Sequence, residues 1–434
     1  HPHTLKPGKI SAVPYAEPSP WQNFKSPYFT EKHLQFRSVF RAFVETELRP
    51  LSQGMEASGK EPSIDLYQKL GAFGFLVCRM GPDMGPYLKH FKLPGGVQAD
   101  EFDHFYEMIC HEEAARAGIS GFADALGGGM VIGLPPVVLF GKKPMQERVV
   151  LSVLRGEKRI ALAISEPFAG SDVAGLKTTA RKSACGQFYI VNGVKKWITN
   201  GTFADFFTTA VRTGDDGVGG ISMLLIERGP GVSTKKIKTA MSGCAGTAYV
   251  EFEDVKVPVG NLIGEENQGF KVIMANFNHE RWVIICGINS ATRYVVEECM
   301  KWAHQRKVFG QMLIEQPGIR AKLGAMIAQL EGIQNWTENI TFQMNNMSYQ
   351  EQAQHLAGPM ALLKAQCTKV SCFVSSEACQ IFGGRALTQS GMGRFVTSFR
   401  TSQKFGSILG GSEEIMVDLG VRQAMKYMPP DARL

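Results

Sequence analysis

The chain has 434 residues, of which 44% are hydrophobic and 20% charged, and its formal net charge is +7. This length and composition are typical of a globular protein with one large core or about two to three smaller ones. Its 47 basic and 40 acidic residues are interspersed, which argues against a nucleic-acid surface, since such a surface needs clustered basic residues. The small positive excess fits an anionic substrate and ordinary solubility equally well.

The nine cysteines form no Cys-x-x-Cys pair and have no histidine partner at metal spacing, so we expect reduced thiols, no metal site and an intracellular protein. No apolar run approaches the roughly 18 residues of a membrane span. The tripeptide Ala432-Arg433-Leu434 fits the small-basic-Leu pattern of a peroxisomal address. It predicts a peroxisomal location, with the mitochondrion as the alternative.

Taken in chain order, the first segment is rich in proline. Residues 1–27 hold six of the 21 prolines and predict an extended arm, or a linker that follows an upstream module. Apolar residues at helical spacing then predict an amphipathic helix that is capped by Thr30 and ended by Pro50. Similar patterns at 64–73, 101–116 and 145–155 complete a predicted N-terminal helical domain over residues 28–159.

In the middle of the chain, the apolar residues no longer follow a helical period. Residues 160–264 carry short β-branched and aromatic runs between turn residues, which predicts a small β domain of barrel or sandwich type. Asn192-Gly193, between two such runs, predicts a hairpin with a type I′ turn. Residues 265–434 are again helical in pattern and predict a C-terminal four-helix bundle. The predicted fold class is therefore α+β, in the order helix, sheet, helix.

Two motifs stand in the predicted β domain. The first, residues 163–172, is a polar, Gly-containing loop after a strand, and the second, residues 196–201, contains Trp197 and Thr199. An indole offers a flat apolar face, and alternation along a strand puts Thr199 on the same side as Trp197. With the segments 276–281, 305–310, 377–384 and 409–414, these motifs resemble the acyl-CoA dehydrogenase family over about residues 28–427.

The resemblance implies an FAD cofactor, held across a dimer contact. No Gly-x-Gly-x-x-Gly follows a predicted strand, so a Rossmann-type site is not expected. In the family, the loop and the Trp-x-Thr segment meet the flavin, an Arg and a Gly-Gly pair meet the pyrophosphate of a neighbouring subunit, and the late motif meets the adenosine. The corresponding residues are Ile164, Ser165, Ser171, Trp197, Thr199, Arg306, Phe309, Gln380, Gly383, Gly384, Ser412 and Glu414.

The catalytic base has two possible places in the family, a late motif and an earlier helix. Here the late position is Gly410, whereas a carboxylate stands in the earlier segment at Glu280. The resemblance implies that Glu280 takes the α-proton of a thioester and that the Gly410 backbone N–H donates to the thioester oxygen. It also implies substrate contacts for Ser171, Asn278 and Arg281. Burial should raise the pKa of the base.

The predicted reaction is FAD-dependent α,β-dehydrogenation of an acyl-CoA to the trans-2-enoyl-CoA, with flavin N5 taking the β-hydride, as in fatty acid β-oxidation. An oxidase of the same fold that uses O2 and a non-catalytic relative that binds flavin or acyl-CoA are the alternatives. The expected partners are the acyl-CoA, an electron-transfer protein or O2, and further copies of the chain in a homodimer or homotetramer. The acyl chain length stays open.

Overall fold

The computed structural model describes residues 8–118 and 121–432. Their contacts form two compact units. The first unit contains the described parts of 1–51, 94–120 and 281–434, and the second contains Ser52–Leu93 and Gly121–Glu280. Arg433 and Leu434, on which the predicted peroxisomal address depends, lie outside the described residues.

The helices occupy both ends of the chain, which confirms the predicted α+β class with a middle sheet. They are Glu31–Phe43 (α1), Arg49–Ser58 (α2), Ile64–Phe73 (α3), Phe75–Cys78 (α4), His104–Ala114 (α5), Phe122–Ala125 (α6), Gly128–Gly133 (α7), Pro135–Phe140 (α8), Lys143–Leu154 (α9), Gly269–Ala303 (α10), Pro317–Asn346 (α11), Tyr349–His355 (α12), Ala357–Phe382 (α13), Gly393–Ser402 (α14) and Glu413–Met425 (α15). Over the described ranges, none of these is both long and apolar enough to cross a membrane.

Helix α1 begins after Thr30, as predicted, and the Thr30 backbone N–H donates to Nδ1 of His33 at 3.1 Å. The prediction that Pro50 ends this helical stretch is wrong. A π-helical segment, Val44–Leu48, follows α1, and Pro50 lies in the first turn of α2. Proline lacks an N–H and its ring clashes with the carbonyl four residues earlier, so the wider π turn just before it accommodates the ring.

The second unit contains an eight-stranded sheet. Its strands are Ile160–Ala163 (β1), Thr179–Lys182 (β2), Phe188–Ile198 (β3), Phe206–Arg212 (β4), Ile221–Glu227 (β5), Val232–Lys236 (β6), Ala248–Pro258 (β7) and Leu262–Ile263 (β8). They follow the order β6-β7-β3-β2-β4-β5-β8, and β1 pairs in parallel with β4. Buried residues such as Phe207, Val250 and Phe252 form its core.

The predicted hairpin at Asn192-Gly193 is wrong. Strand β3 runs straight through both residues and pairs antiparallel with β7, with a register shift between Val191 and Gly193. A Cβ at Gly193 would come within 2.5 Å of Oγ1 of Thr178. The glycine therefore serves a bulge with close strand approach rather than a turn.

The core of the first unit is helical. Helices α5, α11 and α13 pack together with the part of α10 that begins at Arg281. Trp282 is fully buried there, and its Nε1 donates to Oγ1 of Thr341 at 2.9 Å. Because Trp282 directly follows Arg281, this packing fixes the position of that arginine.

The described part of the Pro-rich segment, residues 8–27, is packed rather than free. It contains one 3-10 turn, Ser19–Gln22, and a carboxylate, Glu17, that is only 1% exposed. Glu17 Oε2 accepts from Nη2 of Arg41 at 3.0 Å and from Nη2 of Arg37 at 3.2 Å. Although burial alone would raise it, the pKa of Glu17 lies well below its usual range because Arg41 and Arg37 stabilise the carboxylate. The proline pattern does not predict this attachment.

Candidate active site

The loop that follows β1 in the second unit is held by a buried ion pair. Lys195, which is fully buried, donates from Nζ to the Ile164 carbonyl at 2.9 Å and to Oε1 of Glu166 at 2.8 Å. Glu166 also accepts from the backbone N–H groups of Lys177 at 2.6 Å and Thr178 at 2.9 Å. Four hydrogen bonds therefore fix the backbone at Ile164 and the carboxylate of Glu166.

This pair was not found from the sequence, although Lys195 precedes the second motif directly. Burial lowers the pKa of Lys195 to about 8, and the charge of Glu166 opposes that shift. Next along the strand, the Lys196 N–H donates to the Ser165 carbonyl at 2.8 Å. The structure thus brings the two predicted flavin segments together, with Ile164 buried, Ser165 half-buried and Ser171 exposed.

Trp197 has an unusual backbone conformation. Its φ is 68°, in the left-handed region that a bulky residue rarely adopts, and its side chain is 53% exposed. The register with β7 shifts between Lys195 and Ile198, and Thr199 follows the end of the strand. The prediction that alternation puts Thr199 and Trp197 on one side of a strand is therefore wrong, because the two residues do not lie in one regular strand. An exposed aromatic ring on strained backbone is typical of a functional site.

Asn200 ends this segment and is a second residue that sequence reasoning missed. It is buried with φ 61°, which asparagine tolerates better than most residues. Its Nδ2 donates to the Asp124 carbonyl at 3.0 Å and to the Ala245 carbonyl at 2.9 Å, and its Oδ1 accepts from the Gly129 N–H at 2.7 Å. These bonds hold the chain directly after Trp197 and Thr199.

Glu280 lies on α10 and is the last residue of the second unit. Its side chain is 8% exposed. Asn276, one helical turn earlier and also buried, donates from Nδ2 to Oε1 of Glu280 at 3.0 Å. A neutral amide orients the carboxylate but binds its charge less strongly than a cation does. Asn278, the predicted substrate contact, is half-buried.

Gly410 lies in the first unit, in a turn whose carbonyls point at two buried cations. Nε of Arg281 donates to the Gly410 carbonyl at 3.3 Å. Nζ of Lys364, on α13, donates to the Leu409 carbonyl at 2.7 Å and to the Gly411 carbonyl at 2.6 Å. Three successive carbonyls are thereby bonded. Lys364 was not predicted from the sequence.

The same bonds orient the N–H of Gly410. In a trans peptide the carbonyl and the following N–H point in opposite directions, so the Gly410 N–H points away from Lys364. Among the described residues, it donates to no other group. Gly410 and Gly411 have φ values of 63° and 102°, which favour glycine. Burial, with a smaller effect from the charge of Arg281, lowers the pKa of Lys364 to about 8.

Arg306 and Phe309 lie near a short hairpin of the first unit, formed by Lys307–Val308 (β9) and Gln311–Met312 (β10). The turn is Phe309-Gly310, with φ values of 48° and 78°, as a type I′ turn requires. Phe309 is 96% exposed and Arg306 is also exposed. This tight turn was not predicted from the sequence.

The remaining predicted contacts also lie in the first unit. Gln380, Gly383 and Gly384 are exposed at the end of α13. Ser412 caps α15, since its Oγ accepts from the Ile415 N–H at 3.4 Å. Glu414 is exposed, and hydrogen bonds from its own N–H and from Ser412 lower its pKa.

Three family models together match most of the chain. Residues 30–157 match the N-terminal domain, 161–255 the middle domain and 267–425 the C-terminal domain of acyl-CoA dehydrogenases. The chain belongs to the acyl-CoA dehydrogenase family. It is accordingly an oxidoreductase that uses FAD.

Two fungal relatives are similar to the chain over nearly its whole length. An acyl-CoA dehydrogenase of Emericella nidulans, apdG, is 38% identical over 98% of each chain. An acyl-CoA dehydrogenase of Alternaria alternata, AFT10-1, is 35% identical over 96% of each chain. Among solved structures, butyryl-CoA dehydrogenase from Megasphaera elsdenii is 25% identical, with a TM-score of 0.81 over 92% of this chain and 100% of that one.

The residues of this acyl-CoA dehydrogenase family member fit FAD. The φ of 60° at Gly383 itself favours glycine, but Gly384 has no positive φ and a Cβ there would enter open space, so neither packing nor backbone geometry within the described chain requires glycine at Gly384. Close approach of a phosphate to the backbone does explain it. The exposed ring of Trp197 likewise suits stacking on a flat cofactor.

Proposed function

We propose that the protein converts an acyl-CoA thioester to the trans-2-enoyl-CoA, with Glu280 as the base that takes the α-proton. One observation carries this proposal. The buried carboxylate of Glu280 is oriented by Asn276 at 3.0 Å, while the late position is Gly410, which has no side chain. The carboxylate that the reaction needs is therefore supplied by α10.

Glu280 suits the transfer of a proton from carbon because it is buried and hydrogen-bonded to a neutral amide. Burial disfavours the charged form of a carboxylate, which makes it a stronger base. Asn276 orients the acceptor oxygen Oε1 through this hydrogen bond. We assign it a positioning role.

Gly410 supports the same step through its backbone. Its N–H is not used by the described residues, and Lys364 and Arg281 fix the turn around it. A preorganised N–H that donates to the thioester oxygen stabilises the negative charge that develops there when the α-proton leaves. This makes the α-proton more acidic. Glycine at this position lacks a carboxylate side chain but retains the backbone N–H donor.

FAD, when bound, supplies the acceptor for the β-hydrogen and its electron pair. We propose that Ile164, Ser165, Trp197 and Thr199 hold the flavin. The residues proposed to contact the remainder of an FAD are Ser171, Arg306, Phe309, Gln380, Gly383, Gly384, Ser412 and Glu414. Because Gln380, Gly383 and Gly384 are exposed in one chain, we further propose that they meet the FAD of another copy, in a homodimer or homotetramer.

The substrate and the electron acceptor are tested together. The FAD-loaded protein is titrated without oxygen with straight-chain, branched and aryl-substituted acyl-CoA thioesters, and the flavin absorbance is followed. We expect bleaching by at least one thioester, with enoyl-CoA as the product. Rapid recovery on admission of air would favour the oxidase alternative, and recovery only with an electron-transfer flavoprotein favours the dehydrogenase. Absence of bleaching with every thioester would contradict the proposal.

A further inference from the structure

A groove of about 570 Å³ lies in the first unit, lined by residues that the proposed chemistry does not use. Its lining contains more basic than acidic side chains. The basic ones are Lys9, Arg49, Arg116 and Lys301, and the acidic ones are Glu45 and Glu297. The groove therefore carries a formal excess of two positive charges.

One wall of the groove is specific to the N-terminal segment. Residues 9 and 11–13 line it, whereas the match to the family begins only at residue 30. Ser11 attaches this wall to α10, since its Oγ donates to Oε1 of Glu297 at 2.8 Å. The buried contacts of Glu17 with Arg37 and Arg41 hold the next part of the segment. Hydrogen bonds and ion pairs to the helices therefore hold this wall in a defined position.

Two of the four cations, Arg116 and Lys9, are not fully paired within the described residues, whereas Lys301 also pairs with Glu298 at 2.5 Å and Arg49 donates to the Tyr294 hydroxyl. Glu297 is shared by Ser11, by Nη2 of Arg116 at 3.4 Å and by Nζ of Lys301 at 3.8 Å. Arg116 is only 6% exposed, and its Nε has no hydrogen-bond partner among the described residues. A guanidinium has five N–H donors, and a buried donor without an acceptor is costly. Lys9 is exposed and forms no ion pair within residues 8–118 and 121–432.

We propose that this groove binds the phosphate group of a small phosphorylated molecule, with Arg116 and Lys9 as its principal contacts. A planar guanidinium beside an ammonium suits the charge and the several acceptor oxygens of phosphate. The volume lies within the range of small-molecule sites and exceeds the need of a lone ion. The ring of Tyr294 and the side chains of Ala12 and Val13 also line the groove and offer surface to an organic part. This site does not depend on the proposed acyl-CoA chemistry.

Calorimetric titration of the FAD-loaded protein tests the site directly. Inorganic phosphate, ribose 5-phosphate and ribose are compared at constant ionic strength. We expect saturable binding of both phosphates and none of ribose. Tighter binding of ribose 5-phosphate identifies an organic phosphate as the ligand, and equal affinities identify free phosphate. Absence of saturable binding by either phosphate overturns the proposal.

Two matched substitutions locate the binding. Lys9→Gln removes an exposed charge of the groove, and Lys25→Gln removes an exposed charge of the same N-terminal segment that does not line it. We expect Lys9→Gln to weaken phosphate binding about two- to fivefold and Lys25→Gln to leave it unchanged. Equal effects of the two would place the binding outside the groove and overturn the proposal. Both side chains are exposed, so loss of folding does not confound the comparison.

Discussion

Nε of Arg281 donates to the carbonyl oxygen of Gly410 at 3.3 Å, and so joins the residue directly after Glu280 to the late Gly-Gly turn. Lys364 bonds the carbonyls on either side of Gly410. Two buried cations from different helices thereby determine the backbone of a turn that has no functional side chain. We infer that this turn contributes to the reaction through the backbone N–H of Gly410, which the two cations position.

Replacement of Lys364 by methionine tests the role of this turn. The carbonyls of Leu409 and Gly411 lose their donor, and only the bond from Arg281 to the Gly410 carbonyl still holds the turn, so the Gly410 N–H is less firmly positioned. We expect kcat/KM for the acyl-CoA to fall about 10- to 100-fold, the scale of a small misplacement of a catalytic group. Lys369→Met, at an exposed position of the same helix, should leave it unchanged. Equal kinetics of the two variants would exclude a positioning role for Lys364.

The pH dependence of the same variant separates positioning from general stability. Burial lowers the pKa of Lys364 to about 8, with Arg281 adding to the shift and Glu413 and Cys367 opposing it. The ammonium therefore loses its proton as the pH rises through about 8. We expect kcat/KM of the wild type to fall across this pH range. The FAD content is measured at each pH, so that loss of the cofactor is not mistaken for loss of activity. If kcat/KM of Lys364→Met falls over the same pH range, the fall belongs to the titration of another group.

The Lys195–Glu166 pair should govern both stability and flavin binding. Lys195→Met leaves a buried carboxylate without its cation, so we expect a loss of about 3–5 kcal/mol in the free energy of unfolding and weaker FAD binding. The double variant Lys195→Met/Glu166→Gln should recover part of the stability, since no buried charge remains. Urea unfolding and FAD retention measure the two effects. Lys235→Met, at an exposed position of β6, is the control, and a loss of similar size there would refute the assignment.

Glu338 in α11 makes a separate prediction about stability and pH. Burial, with the charge of Glu112, raises the pKa of Glu338 to about 7 from 4.5. Between these pH values the folded protein holds a proton that the unfolded chain has lost, so the contribution of Glu338 to stability falls as the pH rises. We expect Glu338→Gln, which keeps an acceptor for Nε2 of Gln334, to become more stable than the wild type above pH 7, by roughly 3 kcal/mol at most. Chemical unfolding at pH 5 and pH 8 gives the comparison, and a difference independent of pH would contradict it.

Strong periodicity was enough to locate several elements. Helix α3, Ile64–Phe73, coincides with the range expected from its apolar spacing, and α9, Lys143–Leu154, begins and ends within two residues of the range predicted at 145–155. Local signals failed where long-range pairing decided the backbone. Asn192-Gly193 has turn propensity, but the pairing of β3 with β7 keeps it inside a strand.

The candidate site was predicted only where its residue types are informative by themselves. Glu280 and Gly410 stand out because a carboxylate is present in one segment and absent from the other. Lys195 and Lys364 did not, because lysine is usually exposed and their acceptors lie 29 to 47 residues away. Asn276 was within reach of sequence reasoning, since it stands four residues before Glu280 on one helix face.

The most direct test of the central claim is the rate of flavin reduction in Glu280→Gln. Glutamine keeps the oxygen that accepts from Asn276 but is not a base. With a thioester that reduces the wild type, rapid anaerobic mixing should show a rate at least about 100-fold lower, with FAD still bound and with Glu253→Gln, an exposed control, unaffected. Flavin reduction in Glu280→Gln within a few fold of the wild-type rate would contradict the assignment of Glu280 as the base.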